Sequence, residues 1–343
     1  MLTERRENIL GLIVGEYILG ASPVASETIA HRSGLGVSPA TIRNEMAALE
    51  EDGYIIRRHI SGGGVPSDRG YRYYVESLIR EEEVPLAERR MISHFFFLVE
   101  RELEEWNRLA AALLARMLSS VAIVTFPKAP QTRFKHLEMV ALQEFLALLI
   151  IILRETRLKQ QLIAFDEMIS QDELTTISNK LNAQFNGLTG SEILARSPQL
   201  STREEQVRQA VVQIMEREDA QRYGELCIEG VRHMLSQPEF SSGEKMLGLM
   251  DLLERGRLAS SILPEVVAED GVQVIIGAEN KEDAMRECSV VLARYGIPGE
   301  ASGALGVVGP TRMPYERAIS RVRYMGMLMS DLLAQLYRGQ KAG

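Results

Sequence analysis

The side chains best suited to acting on another molecule lie in one short stretch, residues 38–44. If this stretch is helical, Ala40, Thr41, Arg43 and Asn44 lie on or beside one face, away from the apolar side. A face of small side chains can approach a DNA groove closely, while arginine and asparagine form hydrogen bonds with base edges. The chemistry predicted here is noncovalent recognition of nucleic acid.

These residues are expected to lie on a capped helix. Ser38 suits the N-cap, and Pro39 suits the first helical position, where no backbone N–H is needed. Ile42, Met46 and Leu49 recur at helical spacing, which predicts one buried stripe.

Another short helix is predicted upstream, at residues 26–32, and a glycine-containing turn joins it to the capped helix. Two short helices joined by such a turn form the helix-turn-helix arrangement. Residues 54–56 predict a strand, followed by basic residues and a loop rich in glycine that ends at Pro66. This order is typical of a winged helix. Capped helical hairpins are also common packing units, so the helix pair alone leaves DNA binding and simple packing open.

The residues predicted to contact DNA fall into two groups. The base-reading group is Ser38, Ala40, Thr41, Arg43 and Asn44, and the wing and phosphate group is Arg57, Arg58, Ser61, Gly63, Arg69 and Arg72. Residues 1–80 hold nine arginines and no lysine against ten acidic residues, which gives a net charge of −1. We therefore expect modest affinity with strong salt dependence.

Two further motifs each allow two interpretations. Tyr71, Tyr73 and Tyr74 could stack on bases, but such rings more often pack a helix onto its own domain. Residues 303–312 read G-x-x-G-x-x-G and end in Arg312, which could hold an anion near a helix start. The other interpretation is a tight turn with Arg312 in a structural ion pair.

No arrangement of residues predicts an enzyme. The five histidines are scattered, and neither H-E-x-x-H, H-x-x-E-H nor G-x-S-x-G occurs. Cys227 and Cys288 stand apart without a C-x-x-C motif, which predicts reduced, partly buried thiols. We therefore predict no catalytic residue, no metal site and no required cofactor.

The length of 343 residues predicts two or three domains. The net charge of −8 argues against a wholly basic coat protein for nucleic acid, but it permits a local basic surface. The longest apolar run, residues 145–153, is far shorter than the ~20 residues of a membrane helix, and no signal peptide is expected. These features predict a cytoplasmic protein without membrane contact.

The domain boundaries follow changes in the hydrophobic pattern. Residues 1–80 are predicted to form the DNA-binding domain, and the acidic, proline-containing residues 81–90 a linker. Strand patterns flank a mostly helical interval, which predicts one α/β domain with an insertion. The α/β domain is assigned residues 91–169 and 240–340, and the insertion residues 170–239.

Two details of this assignment can be checked directly. Residues 145–153 are apolar on both faces, which predicts a central strand covered on both sides. The helical pattern is expected to continue through residues 226–235. The apolar residues of the insertion favour an oligomerisation surface, with simple packing onto the host domain as the alternative.

Three separated motifs resemble a known family. The first is Gly36–Met46, followed by Leu49, Glu50 and Gly53; the second is Ser61, Gly63, Pro66, Asp68, Gly70, Tyr71 and Arg72; the third is Gly306, Gly309, Pro310, Thr311, Arg312, Met313 and Tyr315. In these motifs, and over essentially the whole chain, the sequence resembles the HrcA family of heat-inducible transcription repressors.

The resemblance implies an α+β multidomain fold: an N-terminal winged helix-turn-helix, and a GAF-like α/β domain with an inserted helical dimerisation domain. It implies a homodimer that represses class I heat-shock (chaperone) operons by binding an inverted-repeat, double-stranded DNA operator, the CIRCE element. It also implies that the chaperonin keeps the repressor active, and that unfolded proteins occupying the chaperonin release repression. Such a protein would be nucleoid-associated while bound to its operator.

One wing position departs from the family pattern. The family commonly has a basic residue between the conserved glycine and proline, where this chain has Gly64. A contact with the minor groove or a phosphate could therefore be missing, and Arg57, Arg58 or Arg69 could compensate.

The resemblance leaves an alternative function open. GAF-like domains are related to small-molecule sensors, so the chain could be a winged-helix repressor whose GAF-like domain senses a small-molecule effector.

Overall fold

The computed structural model describes residues 2–34, 36–57, 63–79, 82–99, 102–129, 131–154, 158–196, 199–220, 226–240, 247–248, 251 and 271–341. The chain forms two compact units. The first comprises Met1–Phe126, Glu225–Gly296 and Gly303–Gly343, and the second comprises Pro127–Gly224 and Ile297–Ser302.

The first unit begins with three helices and a small sheet. The helices are α1 (Glu4–Gly20), α2 (Ser26–Arg32) and α3 (Pro39–Glu51), and the antiparallel strands are β1 (Ile55–Ile56) and β2 (Val65–Pro66). Helix α4 (Asp68–Tyr73) follows and continues into a π-helical turn, Tyr74–Leu78. The predicted helices and the strand after them are confirmed.

The remaining elements are given in chain order. The helices are α5 (Leu86–Leu98), α6 (Leu103–Leu118), α7 (Gln171–Phe185), α8 (Gly190–Ala195), α9 (Thr202–Ala220), α10 (Val231–Leu235) and α11 (Tyr315–Lys341). The strands are β3 (Val121–Thr125), β4 (Phe134–Gln143), β5 (Leu146–Leu153), β6 (Leu158–Ala164), β7 (Leu226–Glu229), β8 (Val272–Ile276), β9 (Cys288–Ile297) and β10 (Ala301–Pro310).

The N-terminal helices share one core because their apolar residues recur at helical spacing. Ile9, Ile13, Ile29, Ile42 and Leu49 are all completely buried. Burial of side chains of this size contributes about 1.5–3 kcal/mol each, which is enough to hold short helices together. The buried stripe predicted for α3 is therefore confirmed.

The larger sheet of the first unit has the strand order β7-β3-β10-β9-β8. Helices α6 and α11 contribute Trp106, Leu114, Val322 and Met325 to the core on one side. Strands β8, β9 and β10 confirm the strand pattern predicted on the C-terminal side of the helical interval.

Strand β7 corrects the sequence prediction, which continued the helical pattern through residues 226–235. Leu226–Glu229 pairs antiparallel with β3, from Leu226 opposite Thr125 to Glu229 opposite Ala122. Four residues are too few to show a period that separates helix from strand, and the partner strand lies a hundred residues away. The helical pattern resumes only at α10.

The second unit has a three-stranded antiparallel sheet, β4-β5-β6, with α7 and α9 packed on one face. Strand β5 is central, as predicted. Its residues alternate, however, between buried positions such as Leu149 and partly exposed ones such as Leu148. The prediction that both faces are covered is therefore wrong for the described part of the chain, because its helices pack on one face of this sheet.

The boundaries of the second unit differ from those of the predicted insertion, residues 170–239. The second unit begins at Pro127, well before residue 170. Strands β4, β5 and β6 belong to the second unit, together with α7, α8 and α9. Hydrophobic alternation identifies a strand but carries no information about which sheet the strand joins. No helix in the described ranges is long and apolar enough to span a membrane.

Candidate nucleic-acid interface

Helix α3 presents the predicted face to solvent. Ser38, Ala40, Arg43 and Asn44 are exposed, and Thr41 is partly exposed. The Ser38 Oγ accepts a hydrogen bond from the Thr41 N–H at 3.2 Å, so the helix begins with a side-chain cap. The positive end of the helix dipole is consequently at the same exposed end as the small residues.

Arg43 and Asn44 are the polar groups of this face that remain available. Neither side chain forms a hydrogen bond or ion pair within the described part of the chain. An arginine that is held by no carboxylate keeps all its donors for a ligand. The Thr41 hydroxyl, by contrast, lies 3.1 Å from the Ser38 Oγ and is already part of the cap.

Three of the four acidic residues of α3 and its C-cap are paired with arginines from the same region, and the fourth, Glu51, is exposed. Arg6 donates to Glu45 at 3.0 Å and lies 3.4 Å from Asp52, and Arg57 donates to Glu50 at 2.8 Å. The pairs of Arg6 are partly exposed and stabilise the fold little, whereas Arg57 is nearly buried. All of these pairs also act electrostatically, since each offsets a negative charge on α3 or at its C-cap.

Arg57 was predicted to contact phosphate, and the structure engages it inside the domain. Its side chain is 6% exposed, and its backbone N–H also donates to Glu50, at 3.2 Å. This bidentate pair joins the end of β1 to α3. Arg57 would reach a phosphate only if that pair opened.

Arg69 is likewise occupied, at the C-terminal end of α3. Its Nη1 donates to the Asp52 carbonyl oxygen at 2.7 Å, and its guanidinium lies 4.6 Å from the Tyr54 ring centroid. A cation beside the last carbonyls of a helix complements the helix dipole. The Arg69 side chain is exposed, so its charge is also accessible from solvent.

Arg72 contacts the region of the five-stranded sheet. Its Nε donates to Glu279 at 2.8 Å, and its Nη2 donates to the Val274 carbonyl oxygen at 2.7 Å. The hydrogen bond to Glu279 raises the pKa of the Arg72 guanidinium. This residue is therefore committed to a protein contact that sequence reasoning did not anticipate.

The wing glycines have packing roles. A Cβ at Gly63 would lie 2.6 Å from the Pro23 backbone carbon, because Gly64 forms a β-bridge with Val24. At Gly64 a Cβ would point toward Met46 and Ile55, at 3.0 Å from each. Gly64 is buried, so a basic side chain at this position would begin by pointing into the core. Arg58 and Ser61 lie outside the described residues.

The three tyrosines of the α4 region pack within the protein. Tyr71 is 2% exposed and lies 5.8 Å from the Tyr315 ring, and burial raises the pKa of its phenol. Tyr73 donates to Glu7 at 2.6 Å, and Tyr74 to Glu316 at 3.1 Å. The packing interpretation is confirmed for all three.

Arg312 is in a structural ion pair, as one of the two interpretations held. It donates to Glu239 at 2.5 Å and to Gln237 at 2.7 Å. Its Nη1 also reaches the Ile18 carbonyl oxygen, at 3.4 Å, near the end of α1. The C-terminal motif thus contacts the N-terminal helices.

The cysteines match the prediction of buried thiols. Cys288 is completely buried, and burial raises the pKa of its thiol to about 12, while Cys227 is partly exposed. Neither is in a disulfide. Among the described residues, no group of three histidine, cysteine or acidic side chains could hold a metal ion.

A cleft of about 300 Å³ lies where the π-helical turn meets β8 and α11. Its lining includes the apolar residues Val75, Val274 and Ile319 and the charged residues Glu76, Glu82, Glu316 and Arg323. It is adjacent to Arg72, which lies 3.7 Å from Glu76.

Comparison with known proteins decides the family. A family model for the HrcA protein C-terminal domain matches residues 104–319. The heat-inducible transcription repressor HrcA of Dehalococcoides mccartyi strain CBDB1 is 45% identical over 337 residues, covering 98% of this chain and 97% of that protein. The chain belongs to the HrcA family. Its function is accordingly that of a transcription repressor of heat-inducible genes, and repressors of this family are not enzymes.

Other relatives agree with this family. The HrcA of Roseiflexus sp. strain RS-1 is 42% identical over 344 residues, covering 98% of this chain and 96% of that protein. A crystal structure at 2.2 Å resolution of a protein described as hypothetical matches with a TM-score of 0.66 and 23% identity, covering 98% of this chain and 99% of that one. At this identity the match supports the mixed α/β fold alone.

Proposed function

We propose that residues 1–80 form a winged helix that binds an inverted-repeat operator, the CIRCE element, and so represses class I heat-shock operons. The observation that carries this proposal is the exposed face of α3, where Arg43 and Asn44 have no partner within the described residues. A helix-turn-helix protein places the N-terminal residues of such a helix in the major groove.

In this proposal the base-reading residues are Ser38, Ala40, Thr41, Arg43 and Asn44. Arginine bonds guanine and asparagine bonds adenine in bidentate pairs, so Arg43 and Asn44 carry the sequence preference. Ala40 allows close approach, and Ser38 and Thr41 lie at the helix start, where a phosphate is attracted by the helix dipole.

The phosphate contacts remain predictions, and the contacts of the described arginines support some of them more than others. Arg58, Ser61 and Gly63 are proposed as wing contacts. Arg57 and Arg69 are engaged by neighbouring groups of the same domain, so they are weaker candidates. Arg72 is the weakest, because its donors face Glu279 and Val274.

We further propose that the repressor is a homodimer, because an inverted repeat matches a two-fold axis. The uncovered face of the sheet β4-β5-β6 supports a self-association surface in the second unit. On this face Leu148 pairs with Val140 and Leu162, which are 42% and 56% exposed. Contiguous exposed apolar surface of this kind is typical of an interface.

The proposed regulation is by the chaperonin, which would keep the repressor active until unfolded proteins occupy it. The five-stranded sheet with its helices would be the GAF-like domain, and the protein would act in the cytoplasm, on the nucleoid. The test is operator binding by purified protein with and without chaperonin across temperature. We expect chaperonin to raise the active fraction, and excess unfolded protein to reverse that gain.

That titration has a clear negative result. If chaperonin changes neither the affinity for the operator nor the active fraction, the chaperonin part of the proposal fails. Operator binding itself is tested separately by comparing the inverted repeat with a scrambled duplex at several salt concentrations. A repressor that discriminates between them at each salt concentration retains the DNA part of the proposal.

A second candidate function is supported by the cleft beside the π-helical turn. Apolar side chains together with three glutamates and one arginine suit a small effector with an apolar body and a positive charge, which would make the GAF-like domain a sensor. Thermal-shift screening of amines and other metabolites separates effector sensing from chaperonin regulation. A ligand that raises the melting temperature and changes operator affinity favours effector sensing. If no screened compound does so, regulation by the chaperonin is favoured.

A further inference from the structure

Helix α4 is docked on the segment 274–279 by two polar contacts that run in opposite directions. Arg72 donates to Glu279 and to the Val274 carbonyl oxygen, at 2.8 and 2.7 Å. Asp68 accepts a hydrogen bond from the Ala278 N–H at 2.8 Å. These contacts join residues about two hundred positions apart, so local chain geometry does not impose them.

The backbone of residues 274–279 allows α4 to approach closely. Gly277 has a φ of +52°, and a Cβ there would fall 2.3 Å from the Asp68 carboxylate oxygens. Only glycine permits this conformation and this approach without strain. Glu279 is itself oriented, because its Oε2 accepts from the Ile276 N–H at 2.8 Å.

Helix α4 is also tied to the recognition helix α3. The Ser67 Oγ donates to the Gly53 carbonyl oxygen at 2.6 Å, and Arg69 donates to the Asp52 carbonyl oxygen at 2.7 Å. A Cβ at Gly70 would fall 2.1 Å from the Tyr54 carbonyl oxygen, so α4 lies directly on the backbone that follows α3. The orientation of α3 relative to the five-stranded sheet is thus fixed through α4.

We propose that Asp68, Arg72, Gly277 and Glu279 form a clamp that positions the recognition helix for binding to two half-sites at once. The clamp rests on the proposed function, since it acts on dimeric operator binding. Two half-sites require a set separation of two recognition helices, and loosely tethered domains lose effective concentration for the second site. Arg72 is therefore a positioning residue that acts through Glu279, and it does not bind phosphate.

Charge reversal separates these two roles of Arg72. The full-length proteins are the wild type, Arg72→Glu, Glu279→Arg and the double variant, with Arg90→Glu as an exposed control on α5. Each is titrated with a labelled inverted repeat and with the same duplex carrying one scrambled half-site. Melting temperatures are measured in parallel, so that unfolded variants are recognised.

We expect each single reversal to weaken binding to the inverted repeat about 10-fold, with little change on the single half-site. The double variant should recover part of the loss, because the ion pair is rebuilt with reversed polarity while the hydrogen bonds with the Val274 carbonyl and the Ile276 N–H are not. Amide hydrogen exchange in α4 should rise in both single variants and fall again in the double variant. Arg90→Glu should show none of these effects.

Several results would overturn the clamp. A phosphate role for Arg72 predicts that Arg72→Glu weakens both duplexes equally, that the salt dependence falls, and that the double variant shows no rescue. If Glu279→Arg binds the operator more tightly than the wild type, the contact between Arg72 and Glu279 inhibits binding and the clamp proposal is wrong. If the wild type does not bind the inverted repeat, the proposed function is wrong. If amide hydrogen exchange in α4 is unchanged in both single variants, the clamp proposal is wrong whatever the proposed function.

Discussion

Arg57 donates from Nε to the Oε2 of Glu50 across 2.8 Å, which joins the end of β1 to α3. The two residues are seven positions apart, and the intervening chain turns at Gly53, whose φ is +77°. Glu50 therefore holds the residue that follows β1 through two hydrogen bonds, although in the sequence it stands among charges expected at the surface.

Replacing Arg57 by methionine should destabilise the N-terminal region, because the Glu50 carboxylate loses a nearly buried partner. We expect the free energy of unfolding to fall by about 1–3 kcal/mol. Arg32→Met is the matched control, since Arg32 pairs with Glu16 but is 59% exposed, and should cost less than about 1 kcal/mol. Urea denaturation measures both. Unchanged stability with weaker binding to random DNA would instead make Arg57 a phosphate contact.

Arg43→Ala should weaken binding to the operator more than binding to random DNA, by about 1–3 kcal/mol, as expected for a lost base contact. Its fold should be unaffected, because Arg43 is exposed and has no partner within the described residues. Arg90→Ala removes another exposed arginine, from α5, and should bind normally. An equal loss on both DNAs in a gel-shift titration would assign Arg43 to the phosphate backbone.

Gly63→Ala should disturb the wing, because the new Cβ would lie 2.6 Å from the Pro23 backbone. The neighbour is main chain and cannot move aside, so we expect a loss of about 1–3 kcal/mol by thermal or urea unfolding. Gly15→Ala is the control, since no atom lies within 4 Å of a Cβ there. In a helix that change should stabilise by about 0.5–1 kcal/mol. Equal stability of the two variants would show that the Val24–Gly64 bridge is not required.

Leu162→Lys should convert the proposed dimer to a monomer, because it places a charge on the uncovered apolar face of the second unit. Leu194→Lys, in the same unit, is the control, since Leu194 is similarly exposed at 48% but lies on α8. Sedimentation velocity measures the association state of each. If Leu162→Lys stays dimeric while Leu194→Lys dissociates, the interface lies on the helical side of the unit.

The local elements near the candidate interface were predictable because short-range rules decide them. Ser38 caps α3, Pro39 begins it, and Ile42, Met46 and Leu49 repeat at its period, so helix, cap and buried face all follow from neighbouring residues. The exposed positions of Arg43 and Asn44 follow from the same periodicity. For Tyr71, Tyr73 and Tyr74 the sequence left packing and base stacking open, and their contacts decided for packing.

Long-range pairing was not predictable from the same patterns. Strand β7 was assigned to helix because its partner β3 lies about a hundred residues away in sequence. Strands β4, β5 and β6 pair with their neighbours along the chain and form a sheet of their own, whereas the strand pattern predicted a single α/β domain. From the sequence alone, arginines that follow a helix-turn-helix pattern are predicted to contact phosphate. Only the contacts of Arg57 and Arg72 reveal that their charges are already used.

The sequence by itself determined the family, the helix-turn-helix elements and the residues available on α3, because each depends on residue type at short spacing. The tertiary structure decided which charges remain free, which sheet each strand joins and which surfaces stay uncovered. These properties depend on partners separated by up to two hundred residues, such as Arg72 and Glu279. Periodicity carries no record of such partners, since a salt bridge or a sheet register is fixed only when distant segments meet.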